Sequence, residues 1–213
     1  LATTQCPVLF VPELARGLIG HLVGAVSGGS LYRRASFLLD HVGKQVLPTW
    51  MRVHELPHLL RAFGSGCFDG EGVATTASDL INAGVLQRYV LGSYSARKLG
   101  LRSTGNAGGV HNLTVEANVD SGLAELIAGL SRGLVVTELM GQGVNTVTGD
   151  YSRGAAGFWV ENGQLVHAVE EITIAGNLRE IYQSIEAVGN DVDLRGNIRT
   201  GSILVGRMTL AGQ

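Results

Sequence analysis

Apolar residues fall in short runs separated by glycine and polar turns along the 213-residue chain. The run CPVLFV at 6–11 has no polar interruption, the pattern of a short buried strand. Pro12 then stands where a helix accepts it, in the first turn, and Glu13 follows at the positive end of the helix dipole. Leu14, Leu18 and Leu22 recur at i, i+4 and i+8, with Ile19, Val23 and Val26 as a second row, which predicts a helix over 12–26. Ser27-Gly28-Gly29 ends it, and Ser30 offers a start for a second short helix.

Short strands are expected at 45–47 and 50–54, around Pro48, and at 83–91. A helix is expected over 93–99, capped by Ser93 and stopped by Gly100. A strand at 112–117, a helix from 122 to about 130 capped by Ser121, and a strand at 134–139 follow. The clearest hairpin comes next: Ala156–Val160 and Gln164–Val169 flank Glu161-Asn162-Gly163, and Asn-Gly supplies the positive φ angles of a type I′ turn. Beyond it lie a strand at 172–174, a helix capped by Asn177 running through Leu178, Ile181, Ile185 and Val188, and a last strand at 202–208. Helices separate strand groups without a βαβ rhythm. The predicted fold is therefore α+β, with a mixed, largely antiparallel and barrel-like β-sheet and several helices.

Composition sharpens this picture. The 31 glycines are roughly twice ordinary usage and are scattered rather than clustered, which suits many tight turns and close backbone approaches. Sixteen Lys and Arg against 18 Asp and Glu leave a net charge of -2, too acidic for a nucleic-acid binder that works by phosphate neutralisation. Two cysteines, Cys6 and Cys67, are too few for a disulfide scaffold or a four-thiolate zinc site. The apolar stretches near 8–26 and 123–139 are interrupted by charge, so no membrane span is expected. The chain opens at Leu1 without a leader, and is expected to be part of a longer, cytoplasmic polypeptide.

His54-Glu55-Leu56-Pro57-His58 matches H-E-x-x-H, a zinc-peptidase pattern that needs both histidines on one helical face. Pro57 breaks that helix and Trp50–Val53 favours a strand, so the pair reads as surface histidines flanking a turn. Gly105–Gly109 invites comparison with a phosphate loop, but it follows a helix and precedes a strand, the reverse of the usual order. Cys67 lies in a polar loop near Asp69 and Glu71, while Cys6 reads as a buried strand residue. In 148–157, read as a loop, Arg153 is placed to hold a carboxylate and Asp150 an amine or hydroxyl of a bound extended peptide, beside Tyr151 and Ser152. The competing reading is a loop whose Asp150 and Arg153 bond to nearby backbone.

Three long runs carry a resemblance: SGGSLYRRASFLLDHVGKQVLP at 27–48, SYSARKLGLRSTGNAGGVHN at 93–112 and LVVTELMGQGVNTVTGDYSRGAAGFWVENG at 134–163. With EITIAGNL at 171–178, VGND at 188–191 and the terminal AGQ, they resemble the C-terminal region of the TldD/PmbA family, on its PmbA (TldE) branch. The resemblance covers the whole chain and implies a further N-terminal domain in the full protein. The family is described as metallopeptidase-like, as a modulator of DNA gyrase, and in connection with microcin maturation and antitoxin turnover. In TldD-type chains a helix carrying H-E-x-x-x-H and a downstream Cys hold zinc, and the Glu serves as proton shuttle.

The strand-then-helix frame VLFV followed by PELARG matches that zinc helix. The first His position is Pro12, the Glu is kept as Glu13, the second His position is Gly17, and the Cys position falls at Thr200. The resemblance thus implies a non-catalytic subunit, without a cofactor of its own, that pairs with a zinc-bearing TldD-like paralogue and helps to admit unfolded peptides. A homodimer in isolation is a further expectation. Two alternatives stand beside it: a self-sufficient hydrolase using Cys67 with a histidine, and a binding module acting directly on gyrase or DNA.

Overall fold

The computed structural model describes residues 3–212. In chain order its strands are β1 (Thr4–Phe10), β2 (Val53–Glu55), β3 (Ser78–Asn82), β4 (Val85–Leu86), β5 (Leu113–Val115), β6 (Arg132–Met140), β7 (Asp150–Glu161), β8 (Gln164–Asn177), β9 (Ile185–Val188), β10 (Ile198–Arg199) and β11 (Ile203–Gly212). The helices are α1 (Pro12–Ala25), α2 (Gly28–Tyr32), α3 (Ser93–Leu99), α4 (Leu123–Ala128) and α5 (Leu178–Gln183). They divide into two compact units. One comprises the residues up to Gly17, Ala117–Val192 and those from Thr200 on, and the other comprises Leu18–Glu116 with Asp193–Arg199.

The first unit is a closed ring of strands in the order β1-β6-β7-β8-β11, with β11 returning to pair with β1. Every neighbour is antiparallel except β1 and β6, which run parallel. Closure gives both faces of β1 something to pack against. Leu9 joins Leu130, Val135 and Val160 in one cluster, flanked by Leu123, Leu126 and Ile127 of the α4 segment. Val8 and Phe10 alternate to the opposite face and are fully buried as well. That is the physical reason for the uninterrupted apolar run at 6–11.

β6 and β7 approach so closely that a Cβ on Gly157 would lie 1.9 Å from the Val135 carbonyl oxygen, at the bulge between Val136 and Glu138. β9 continues the sheet on β11 beyond the end of β8. Its outer edge is met by one side chain. The Asn118 Oδ1 accepts from the Val188 N–H at 2.7 Å, the Asn118 backbone N–H donates to the Val188 carbonyl at 3.2 Å, and its side-chain N–H reaches the Glu186 carbonyl at 3.5 Å.

The second unit is built on the sheet β10-β5-β2-β3-β4, in which only β10 and β5 are parallel. Leu38, Leu47, Met51, Leu80, Ile81 and Leu86 are among its buried side chains.

The α+β class and the mixed, barrel-like sheet are as the sequence predicts, and several boundaries move. The strand expected over 83–91 is instead the return arm of a hairpin. Ala83 and Gly84 turn at φ 48° and 74°, and Gly84 sits against the Leu47 carbonyl, where a Cβ would be 2.3 Å away. Of the strands expected at 45–47 and 50–54, only Val53–Glu55 forms, while Gln45 makes a single bridge to Val85. The last predicted helix stops at Gln183, because Ile185–Val188 pairs with β11 as β9. Asn177 does cap it, accepting from the Arg179 N–H at 3.1 Å. Ser93 and Ser121 are not caps. Those positions belong to Gly92 and Gly122, and the side chains that serve the open N–H groups come from Glu71, Glu125 and Asp191. The Asn162-Gly163 turn is as predicted, at φ 50° and 75°, but its arms extend to 150 and 177. Among the described residues no helix is long and apolar enough to cross a membrane.

Gly157→Ala places a methyl group against the Val135 carbonyl. It is expected to cost about 1–3 kcal/mol and to lower the melting temperature by several degrees, read by thermal unfolding.

Candidate functional site

The site is assembled in the second unit around a buried carboxylate. Glu55, at the end of β2, is 2% exposed. Its Oε2 accepts from the Arg88 guanidinium, and its Oε1 accepts from the His111 backbone N–H and from the Asn106 side chain at 2.8 Å. Arg88 also donates to the Asn106 Oδ1 at 3.1 Å, to the Tyr89 carbonyl at 3.1 Å and to the Ser78 hydroxyl at 3.0 Å. Thr104 completes the Asn106 amide, donating to its Oδ1 at 2.7 Å. A buried ion pair stabilises only when its remaining donors and acceptors are met, and here they are met by the 103–111 loop itself.

The same loop is held from its other side. Asp69 accepts N–H bonds from Ala107, Glu71 and Val73 at 2.9, 2.9 and 3.0 Å. Burial pushes its carboxyl up, but the three backbone donors together outweigh that and hold it below the ordinary carboxylate range. Bonds from the Ser93 hydroxyl and N–H lower Glu71 likewise. The His111 ring lies between the Gly64 and Gly105 carbonyls, 3.2 Å from each, and a neutral ring donates to one of them at a time. Asn112 bonds to Leu56, Gly64 and Ser65.

Loop, α2 and α3 together border an open cleft of about 390 Å³, with Gly28, Gly29, Gly92, Gly108 and Gly109 among its walls. Bare backbone lets an extended chain come close. Tyr32 and Tyr94 meet edge to face at the rim, centroids 5.7 Å apart, with Arg33 over the first ring and Lys98 over the second. Glu71, the acid bordering this cleft, is engaged in holding the Ser93 backbone N–H.

The residues singled out in the sequence are placed elsewhere. His54 and Glu55 lie on a strand and His58 in a turn, so H-E-x-x-H is not a helical pair. His54 sits 3.3 Å from Glu116, which also takes Arg52 at 2.7 Å. Burial and the Arg52 charge lower its pKa, against the opposing pull of Glu116 and Asp79. Asp150, Tyr151, Ser152 and Arg153 are not a loop but the first residues of β7, because 150–155 pairs with β8. Alternation then separates them. Tyr151 is buried and pushed up to about 12 by that burial, against the lowering effect of Arg153, while Asp150 and Ser152 face out. The Asp150 carboxylate bonds to the side chains of Thr148 and Asn177, and of the two side chains only that of Arg153 bonds to backbone, at the Met140 carbonyl and from a strand rather than a loop.

Pro12 opens α1, and Glu13 and Gly17 lie exposed on it; Thr200 is fully buried, its hydroxyl donating to the Gly201 carbonyl at 3.1 Å. Pro12 and Gly17 present no side-chain donor to a metal, although a Cβ on Gly17 would meet nothing within 4 Å. The residues present do not fit zinc, and among the described residues no group of three or more His, Cys, Asp or Glu is placed to hold a metal ion.

Sequence reasoning missed Glu55, Arg88 and Asn106 as a unit. The usable signal was a charged residue, Glu55, in a strand otherwise apolar at its buried positions.

The fold of the chain is shared with solved structures. The likeness to a candidate modulator of DNA gyrase from Bacteroides thetaiotaomicron has a TM-score of 0.95 at 32% identity, over 100% of this chain and 48% of that one. For TldE from Thermococcus kodakarensis the TM-score is 0.87 at 27% identity, over 100% of this chain and 51% of that one. Residues 3–212 match the family described as the PmbA/TldA metallopeptidase C-terminal domain, and the chain belongs to that family. It is 55% identical to the protein named metalloprotease PmbA in Escherichia coli O157:H7, over 100% of this chain and 47% of that relative. The chain thus spans about half the length of the curated relatives it matches.

Glu55→Ala leaves Arg88 buried without its partner. It is expected to cost about 3–5 kcal/mol in a urea titration, with increased hydrogen exchange across 103–111. Cys67 is exposed, whereas Cys6 is buried and its thiol is pushed up to about 11 by burial, only partly offset by Arg132. Alkylation near pH 8 followed by peptide mass analysis should therefore label Cys67 in the native protein and Cys6 only after unfolding.

Proposed function

We propose that this chain belongs to the non-catalytic subunit of a TldD/TldE-type heteromeric metalloprotease acting on unfolded peptides. The observation that carries this reading is α1. It keeps the strand-to-helix frame and the Glu of the zinc helix, but Pro12 and Gly17 stand at the two imidazole positions and the buried Thr200 at the thiolate position. In this reading a TldD-like paralogue supplies the zinc and the attacking water. This chain contributes a wall of the substrate passage, with the cleft between α2, α3 and the 103–111 loop taking an extended segment. Its bare glycine backbone and exposed Tyr94 suit a chain read through its backbone and its flat side chains. A cytoplasmic setting accords with two cysteines that are both free.

Hydrolysis of an unfolded polypeptide by the full-length protein, alone and mixed with its TldD-like paralogue, tests the proposal. Activity is expected only in the mixture, removed by a chelator and unchanged by Cys67→Ala. Chelator-sensitive activity of the protein alone, purified free of the paralogue, overturns it. Loss of activity with Cys67→Ala would favour the thiol hydrolase instead.

A further inference from the structure

A second cleft in the same unit, of about 420 Å³, lies between the 59–63 segment and the stretch around Leu194 and Arg199. It carries an unusual exposure of large apolar side chains: Leu60 is 94% exposed, Phe63 78% and Leu194 57%. Such a patch marks an interaction site. The charged residues lining it, Arg61 and Arg199, share one sign, while Arg195 beside them is paired with Asp193. Residues 59–63 and 194–199 contain Arg61, Arg195 and Arg199 and no acid. Two such clefts cannot face one another without setting arginine against arginine, so a self-matching contact is disfavoured.

The opposite combination stands on the β7–β8 hairpin. From Gln164 to Ala168 every residue is exposed, including Leu165 and Val166, and Phe158 is exposed on the facing strand. The span 154–178 contains Glu161, Glu170 and Glu171 and no Lys or Arg; Arg132 of β6 stands opposite Glu161, so the unanswered acids beside the ribbon are Glu170 and Glu171. An apolar ribbon with acidic flanks is the chemical complement of an apolar cleft with basic flanks. The ribbon is also preshaped, its turn fixed by Asn162 and Gly163, so that docking would order little.

We propose that the β7–β8 hairpin of one copy of this protein seats in the Leu60–Phe63–Leu194 cleft of a second copy. The contact is heterologous, hairpin to cleft, and does not rest on the peptide reading of the other cleft. It predicts complementation. Phe63→Asp disables the cleft and leaves the hairpin intact, while Val166→Asp does the reverse. Both positions are exposed, and circular dichroism checks that each variant folds.

In sedimentation velocity of the full-length protein, self-association is expected for the wild type, weakened at least about tenfold by either substitution. Mixing the two variants should restore one contact, with the intact hairpin of the first in the intact cleft of the second. A monomeric wild type overturns the proposal, since another part of the chain or another protein would then cover the cleft. So does association unaffected by either change. Two variants that remain apart when mixed would indicate a self-matching interface, and also overturn it.

Discussion

Glu55 is a carboxylate at 2% exposure, and a charge so placed has to be answered by donors within the chain. The chain answers with a guanidinium from the β4 side, an amide from the loop and a backbone N–H from the residue preceding Asn112. These donors lie 33, 51 and 56 residues from Glu55 and meet it only in the fold, so satisfying one charge fixes the course of the whole 103–111 segment. The second carboxylate, Asp69, ties its own turn, through the N–H groups of Glu71 and Val73, to the N–H of Ala107 in that same segment. Among the glycines of the cleft wall, Gly28 and Gly92 have little room for a Cβ, which would lie 2.2 Å from the Ser95 Oγ and 3.1 Å from the Ala107 Cβ, while Gly108 and Gly109 turn at φ 106° and 119°.

Local chemistry made much of the fold legible. The Asn162-Gly163 turn, the cap at Asn177, the stop at Gly100 and the buried strand at 6–11 are each decided by neighbours in sequence, and each stands where it is read. Two of the misreadings share one cause: pairing with a distant strand. Ile185 and Val188 continue a helical apolar rhythm past Gln183, yet β11 claims them. Residues 150–153 have the glycine and polar content of a loop, yet β8 pairs with them in register. Long-range pairing leaves no trace within the segment that undergoes it. For the same reason the Glu55 network was hidden, since its members are separated by about half the second unit's length of chain.

α1 is a helix specified by its first turn and its packing, by Pro12 in the one and by the apolar row of Ala15, Leu18, Ile19 and Leu22, all buried, in the other. None of these residues carries a metal-ligating side chain. The family match runs over 3–212, and Pro12 and Gly17 carry no side-chain ligand on that helix.

Asn118 sets the width of the first sheet. By offering an amide where a further strand would offer a peptide group, it presents the outer side of β9 with a partner one residue long. A sheet of this kind has a stop signal written in a single side chain. Without that signal the row of groups at Glu186 and Val188 would be a template, open to any passing strand and to the runaway stacking from which edges are the usual starting point.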